Sequence, residues 1–513
     1  MQNHVLDYLN EIVKKKPDKV AFSDGTDALT FAQVYDQSRQ IGFFLHNKGI
    51  YKEPVVVFMQ KHPATITAFF GVITGGDFYV PIDSEMPAAR IDLILKNVNA
   101  RMIICDENTL ETAKTFDYQG ELITYSAICQ EQEETPEAQA EKDAALQEIH
   151  DKAIDTDPIY IVFTSGSTGV PKGVAACHRS VLDYVEQLSE TLEFDENTVF
   201  GNQTPLYFDA CLKELYPTLK FGATTYLIPH ELFMFPVKLV EFLNQYRINT
   251  LCWVVSALTM ISAFGTFKTV KPQYLRCIAF GSEVFPIKQF NRWKEAVPDA
   301  SFTNLYGPTE GTGMCCFYKV NRDFELDEVI PIGHPFKNTE ILLLNDHDEL
   351  AVDGESGEIC IRGTSVTLGY YNNPEKTAEC FVQNPLNKAY PEIIYRTGDI
   401  GRRNERGELV FVSRKDYQIK HMGHRIELGE IEVNVNLLEE VKISGCIYDD
   451  AKGKIVLYYV GDLEEAELTN RLKTRLPRYM MPNRIIRLEQ MPFTANGKID
   501  RVILKKNSYK SMK

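Results

Sequence analysis

Thr164-Ser165-Gly166-Ser167-Thr168-Gly169-Val170-Pro171-Lys172-Gly173 is the most telling stretch of the chain. It follows Ile159-Tyr160-Ile161-Val162-Phe163, an apolar run that predicts a short buried strand. The glycines permit the tight backbone that such a turn requires. Successive N–H groups and hydroxyls in a turn of this kind can cradle anionic oxygens. Lys172 adds a mobile positive charge. The spacing is not that of a Walker A loop, because Gly-x4-Gly-Lys-Ser/Thr is absent. The plain alternative is a Gly/Ser hairpin that binds nothing.

Around this stretch, apolar runs alternate with helical patterns. Residues 3–50 read as a helix, a short strand pair and a second helix. Val55-Val56-Val57-Phe58-Met59 and Arg101-Met102-Ile103-Ile104-Cys105 read as strands, with Thr65 to Val72 helical between them. The alternation predicts a parallel α/β sheet covered on both faces. Glu131 to Asp157 is acidic and poor in aromatics, and reads as a solvated helix or linker. Arg276-Cys277-Ile278-Ala279-Phe280 reads as a strand end beneath a crevice. Ile341-Leu342-Leu343-Leu344 and Glu358-Ile359-Cys360-Ile361 suggest a β-rich subdomain. Further on, a helix around 431–440 and strands around 443–448 and 455–460 suggest a small α+β domain.

At 513 residues the chain exceeds what one hydrophobic core supports, so two or more domains are expected. The net charge of −16 disfavours nucleic acid or an anionic membrane as a general partner. An anionic nucleotide therefore has to be met by local cations such as Lys172, Arg414 and Lys498. The 11 cysteines are odd in number and show no Cys-x-x-Cys pair, which points to reduced thiols rather than a disulfide or zinc framework. Met1 to Val20 has no apolar signal core, and no apolar run reaches the length of a membrane span. A cytoplasmic enzyme without membrane insertion is expected.

Four more motifs follow in order. They are Asn304-Leu305-Tyr306-Gly307-Pro308-Thr309-Glu310, then Tyr395-Arg396-Thr397-Gly398-Asp399. Next comes Arg414-Lys415-Asp416-Tyr417-Gln418-Ile419-Lys420 with Gly423-His424-Arg425-Ile426-Glu427-Leu428-Gly429-Glu430-Ile431-Glu432, and last Asn496-Gly497-Lys498-Ile499-Asp500-Arg501. With the Thr164–Gly173 loop, the set resembles the adenylate-forming enzymes across nearly the whole chain. That superfamily includes acyl-CoA synthetases, luciferases, the amino-acid adenylation domains of nonribosomal peptide synthetases and stand-alone D-alanine–carrier protein ligases. The resemblance implies an adenylation core over residues 1–415, a hinge at Asp416 and a mobile lid over 416–513. It also implies ATP, Mg²⁺ and two half-reactions. A carboxylate attacks the α-phosphate of ATP to give an acyl-adenylate and pyrophosphate, and a carrier protein's phosphopantetheine thiol then attacks the adenylate. Such chemistry needs positioning and charge stabilisation rather than a side-chain nucleophile.

By the same resemblance, Thr164, Ser165, Gly166, Ser167, Thr168 and Lys172 hold the β- and γ-phosphates. Asn304, Leu305, Tyr306 and Gly307 border the adenine, Thr309 reaches the α-phosphate and Glu310 holds the magnesium. Asp399 accepts the ribose hydroxyls and Arg414 donates to the sugar or phosphate; the alternative for this pair is an internal salt bridge. Lys498 bridges the substrate carboxylate and the α-phosphate during adenylation. Gly423 faces the thiol tunnel after the lid rotates. His178 falls where the family has a histidine near the site entrance, to gate or to pack.

Asp209 falls where amino-acid-activating members place a carboxylate for the substrate ammonium. Its alternative is an i,i+4 ion pair with Lys213. The remaining pocket positions implied by the resemblance are Ala210, Lys213, Cys252, Ile278, Phe280, Leu305, Gly313 and Met314. Lys213 either neutralises an acidic or polar substrate side chain or folds back on Asp209 or Glu214. Two departures weaken the match to D-alanine ligases: Gly281-Ser282 stands for a Cys-Gly pair, and Val254-Val255-Ser256 for Thr-Pro-Ser. No phosphopantetheine attachment motif is found, so the carrier is expected to be a separate protein. The expected activity is amino-acid activation and carrier loading, with an acyl- or aryl-CoA synthetase as the alternative.

Overall fold

A computed structural model describes residues 2–130, 135–166, 170–415, 418–449, 452–493 and 499–510. The alternation of runs becomes two mixed sheets with parallel centres. The nine-stranded sheet orders His334–Pro335, Cys316–Lys319, Ser301–Tyr306, Cys277–Gly281, Thr250–Val254, Val199–Asn202, Thr224–Leu227, Val20–Ser23 and Ala28–Thr30. The seven-stranded sheet orders Gly369–Tyr370, Lys172–Cys177, Pro158–Thr164, Phe78–Pro81, Pro54–Phe58, Met102–Cys105 and Glu121–Thr124. Both are parallel through the middle and antiparallel at one or both ends. Fully parallel strands need cover on both faces, which explains runs such as Val55-Val56-Val57 with every side chain buried.

One apolar core joins the two sheets. It contains Val57, Tyr79 and Val162 from one sheet and Phe200, Cys252 and Leu305 from the other, with helices Phe31–Asn47, Pro63–Thr74, His178–Leu192 and Leu212–Phe221 between them. The expected β-rich subdomain is a five-stranded antiparallel sheet built on Thr339–Leu344, Ser356–Gly363 and Ile393–Arg403. The smaller C-terminal domain carries a hairpin, Gln418–His421 with His424–Glu427, and a three-stranded sheet, Val441–Asp449, Lys454–Gly461 and Arg484–Arg487.

Two local readings shift. Helix Pro136–Lys152 is not solvated all round, because it buries Lys142, Leu146 and Ile149. Thr135 caps it, with Pro136 in the first turn, where a missing N–H costs nothing. The helix expected over 431–440 runs instead from Leu428 to Asn436, which brings Glu430 into its first turn. Asp416 lies outside the described residues.

Candidate functional site

The Thr164–Gly173 stretch is the loop of a hairpin. Strand Pro158–Thr164 pairs antiparallel with Lys172–Cys177, and Thr164 faces Lys172 across it. A Cβ on Gly166 would stand 2.0 Å from the carbonyl oxygen of Val170, so only glycine fits. Thr164, Ser165 and Lys172 are buried. Ser167, Thr168 and Gly169 lie outside the described residues.

The N–H, hydroxyl and ammonium groups of this hairpin are met by the C-terminal domain. The Gly166 N–H donates to Glu430 Oε2 at 3.1 Å. Lys172 Nζ lies 3.4 Å from Glu427 Oε1. The Ser165 hydroxyl donates to the Arg425 carbonyl at 2.9 Å and accepts from the Glu427 N–H at 3.2 Å. Glu430 also takes Arg90, from helix Ala88–Val98, in an ion pair buried on both sides. Burial lowers the Lys172 pKa first and the Arg425 charge adds to this, while Glu310 and Glu427 oppose it.

Glu310 is fully buried, and both its oxygens are occupied. Tyr370 donates to Oε1 at 2.6 Å and Arg425 Nη1 to Oε2 at 2.6 Å. Burial pushes the carboxyl upward, but Arg425 and Lys172 outweigh it and hold the pKa at about 2. Nearby, Tyr306 donates to Asp399 Oδ2 at 2.6 Å, and Arg414 Nη1 donates to Asp399 Oδ1 at 2.6 Å. The Asp399–Arg414 salt bridge weighed from the sequence is therefore present, with Tyr306 on the second oxygen. Asn304 spends its amide hydrogens on the Pro331 and Ile330 carbonyls, at 2.9 and 3.4 Å. Gly307 passes so close to Met314 that a Cβ would stand 2.5 Å from its Cα.

Lys420 and Arg425 were not singled out in the sequence. Lys420 Nζ sits 5.6 Å from the centre of the Tyr306 ring, and Arg425 grips Glu310. The signal was there in the pairing. Met422 and Gly423 both have positive φ, +51° and +81°, so they form a two-residue turn that sets Lys420 directly opposite Arg425. The Gly423 N–H donates to Glu283 Oε1 at 2.8 Å, and a Cβ there would stand 2.7 Å from Val254 Cγ1.

Asp209 opens a short 3-10 turn, Asp209–Cys211, that leads into helix Leu212–Phe221. Burial raises its pKa, while hydrogen bonding from Thr309 and the charge of Lys213 pull it back. Cys252, Leu305 and Met314 share the core on this side of the nine-stranded sheet. Gly313 has φ +82°, and a Cβ there would lie 3.6 Å from Tyr184 Oη.

Ile278 and Phe280 do not line this pocket, which corrects the expectation. Both belong to the core on the opposite face, where Phe280 packs against Phe285 and Phe290 with ring centres 5.0 and 6.0 Å apart. Side chains alternate faces along a strand. Cys252 pairs with Ala279, and Gly281 with Leu305, so Ala279 and Gly281 are the positions on the Cys252 face.

His178 is at the start of its helix, with its ring 4.1 Å from that of His4, and it accepts the Val5 N–H at 3.2 Å. It packs the N-terminal segment rather than gating an entrance. Burial drives its pKa down to about 3. Lys498 lies outside the described residues, as does Asp416.

These features define a two-domain α/β protein in which a glycine-bearing hairpin of the large domain is covered by charged groups of the small one. The AMP-binding enzyme family matches residues 9–371, and the chain belongs to that family. It is 29% identical to a D-alanine–D-alanyl carrier protein ligase of Bacillus licheniformis, over 98% of this chain and 99% of that protein. It is 32% identical to tyrocidine synthase 3 of Brevibacillus parabrevis over 95% of this chain, but spans only 7% of that protein's length. Its fold matches the Vibrio cholerae adenylation domain AlmE, solved with glycyl-adenosine-5'-phosphate, with a TM-score of 0.83 and 20% identity over 99% of this chain and 98% of that one. Among the described residues no helix is long and apolar enough to cross a membrane.

Proposed function

We propose that the protein activates an amino acid with ATP and loads it onto a separate carrier protein. The substrate carboxylate attacks the α-phosphate and pyrophosphate leaves. The carrier's phosphopantetheine thiol then attacks the aminoacyl-adenylate and AMP leaves. The observation that carries this reading is Asp209, a carboxylate 9% exposed and set beside Thr309. A buried carboxylate at the head of a pocket is costly until a cation pairs with it, and a substrate ammonium is such a cation. The likeness to a D-alanine–D-alanyl carrier protein ligase along the whole chain supports the same reading.

In this reading the β- and γ-phosphates take the places of the Glu427 and Glu430 carboxylates at Lys172 and Gly166. Arg425 then leaves Glu310. The freed carboxylate is a hard oxygen donor beside the phosphate loop, which suits Mg²⁺. Magnesium bound there neutralises phosphate charge. Thr309 supports the α-phosphate, Tyr306 stacks on adenine, and Asp399 and Arg414 hold the ribose. Lys498 enters from the small domain to bridge carboxylate and α-phosphate. After pyrophosphate departs, the hairpin returns with Gly423 against Val254, and the thiol is admitted. The boundary near Lys415-Asp416 is the hinge of this movement. All 11 cysteines are unpaired, in keeping with a reducing cytoplasm.

Amino-acid-dependent pyrophosphate exchange, run over D- and L-amino acids and simple carboxylic acids, tests the proposal. Exchange with an amino acid and not with its des-amino analogue is expected. Exchange confined to acids without the amine would instead identify an acyl- or aryl-CoA synthetase.

A further inference from the structure

We propose that the amino acid activated here carries an anionic side chain, a second carboxylate, held by Lys213. The inference rests on the amino-acid reading of the site. Lys213 is 2% exposed on the helix that follows Asp209, and its charge is felt at Asp209, Glu214 and Cys252, the last of which shares a sheet face with the small residues Ala279 and Gly281. Among the described residues its ammonium makes no hydrogen bond and no ion pair. A buried ammonium without a partner is among the costliest groups a fold can hold.

The chain's own carboxylates do not fill that need. Lys213 feels the charges of Asp209 and Glu214, yet pairs with neither. Burial pushes the Glu214 carboxyl up to about 8, against the pull of Lys213, Asn202 and Lys61, so it is mostly protonated at neutral pH. Asp209 is taken by the substrate ammonium. The two charges cancel and Lys213 is left over. Lys61 adds charge of the same sign, although burial lowers it to about 7 and its hydrogens go to the Asn202, Gln203 and Ile228 carbonyls. The bound pocket is therefore positive by at least the Lys213 charge.

A second observation points the same way. The Tyr184 hydroxyl is buried and has no hydrogen-bond partner. It lies 3.6 Å from where a Cβ on Gly313 would stand, and burial keeps it a neutral donor. Lys213 and Tyr184, both within electrostatic reach of Asp209, are thus two donors that lack an acceptor, and a carboxylate accepts from both. An amide side chain is the competing occupant, because Glu214 Oε1 also lacks a partner. The leftover positive charge selects the carboxylate over the amide.

Pyrophosphate exchange with both enantiomers of aspartate and glutamate, against asparagine, glutamine, alanine and leucine, decides the matter. A dicarboxylic amino acid should exceed its own amide by about 100-fold or more in kcat/KM. Lys213→Met should bring that ratio close to one, with thermal unfolding confirming that the variant is folded. Lys213→Arg, which keeps the charge, should retain the preference. A wild-type preference for glutamine, asparagine or a neutral aliphatic amino acid overturns the inference and leaves amino-acid activation standing. An unchanged acid-to-amide ratio in folded Lys213→Met overturns it as well. Exchange with des-amino acids alone overturns the reading beneath it.

Discussion

Glu430→Gln separates the two half-reactions by acting on domain docking alone. Glu430 belongs to the small domain and is fully buried between Arg90 and the Gly166 N–H of the large one. Glutamine keeps the shape and one acceptor but presents an NH2 group to one of two donors. It also leaves Arg90, 4% exposed, without its counter-charge. Removing one partner of a buried ion pair costs about 3–5 kcal/mol. Undocking returns Arg90 to water, so the cost falls on the docked arrangement and not on either domain's fold. At the low end, docking should weaken by roughly a hundred-fold. In the proposed function adenylation needs the Gly166 and Lys172 donors clear of Glu427 and Glu430, so pyrophosphate exchange should persist and the KM for ATP should fall. Thiol transfer needs the hairpin in place, so single-turnover acylation of a phosphopantetheinylated carrier should slow by about the same factor. Equal loss in both assays, or an unchanged KM for ATP with full transfer activity, would refute the reasoning.

Lys498→Ala should abolish adenylate formation while leaving thioester formation from supplied aminoacyl-adenylate largely intact, as separate single-turnover assays can show. Asp209→Ala should lower kcat/KM for the amino acid by several hundred-fold, about 3–5 kcal/mol for a stranded ammonium, and raise the relative rate of the des-amino analogue; an unaltered amine preference would remove the amino-acid reading. Ile278→Val should cost about 1 kcal/mol of stability with no change in substrate preference, whereas Ala279→Leu should cut kcat/KM about tenfold or more, alongside the roughly 1–3 kcal/mol that overpacking a fully buried position costs. Arg425→Gln should flatten acid unfolding. In the native protein the Glu310 contribution is present above its unfolded pKa near 4.5 and is lost as pH falls toward about 2. That difference amounts to about 2 kcal/mol between pH 5 and pH 3, measurable by urea unfolding, and it should largely vanish once Arg425 no longer holds the carboxyl down.

Contiguous signals were readable from the sequence and relational ones were not. Runs such as Ile159 to Phe163 and Val55 to Met59 state their burial outright, and each became a strand. The stretch from Thr164 to Gly173 announced a tight, glycine-bearing hairpin by composition. The pocket was harder, because a one-residue displacement of a strand exchanges its faces. The resemblance put Ile278 and Phe280 in the pocket, whereas the pairing of Cys252 with Ala279 requires the alternate positions. Strand parity alone would have exposed the error, since Phe280 lies level with Trp253, which faces the other core. Arg90 carried no signal at all. It reads as an ordinary helix residue, and its meaning comes from Glu430, 340 residues away.

In the proposed function, the contacts between the domains also explain how one cradle can serve two reactions. Lys172, the Gly166 N–H and Arg425 form a positive surface that cannot be buried without anions. With the small domain docked, its own Glu427 and Glu430 supply two of them and Glu310 the third. In the proposed reading, the phosphates of bound ATP supply them instead. The two sets occupy the same donors, so they exclude each other, and the free energy of binding phosphate is set directly against that of docking. In that reading pyrophosphate release does more than clear product. It returns to the cradle the need for carboxylates that only the docked domain can satisfy, and so ties the order of the half-reactions to the charge balance of a single hairpin.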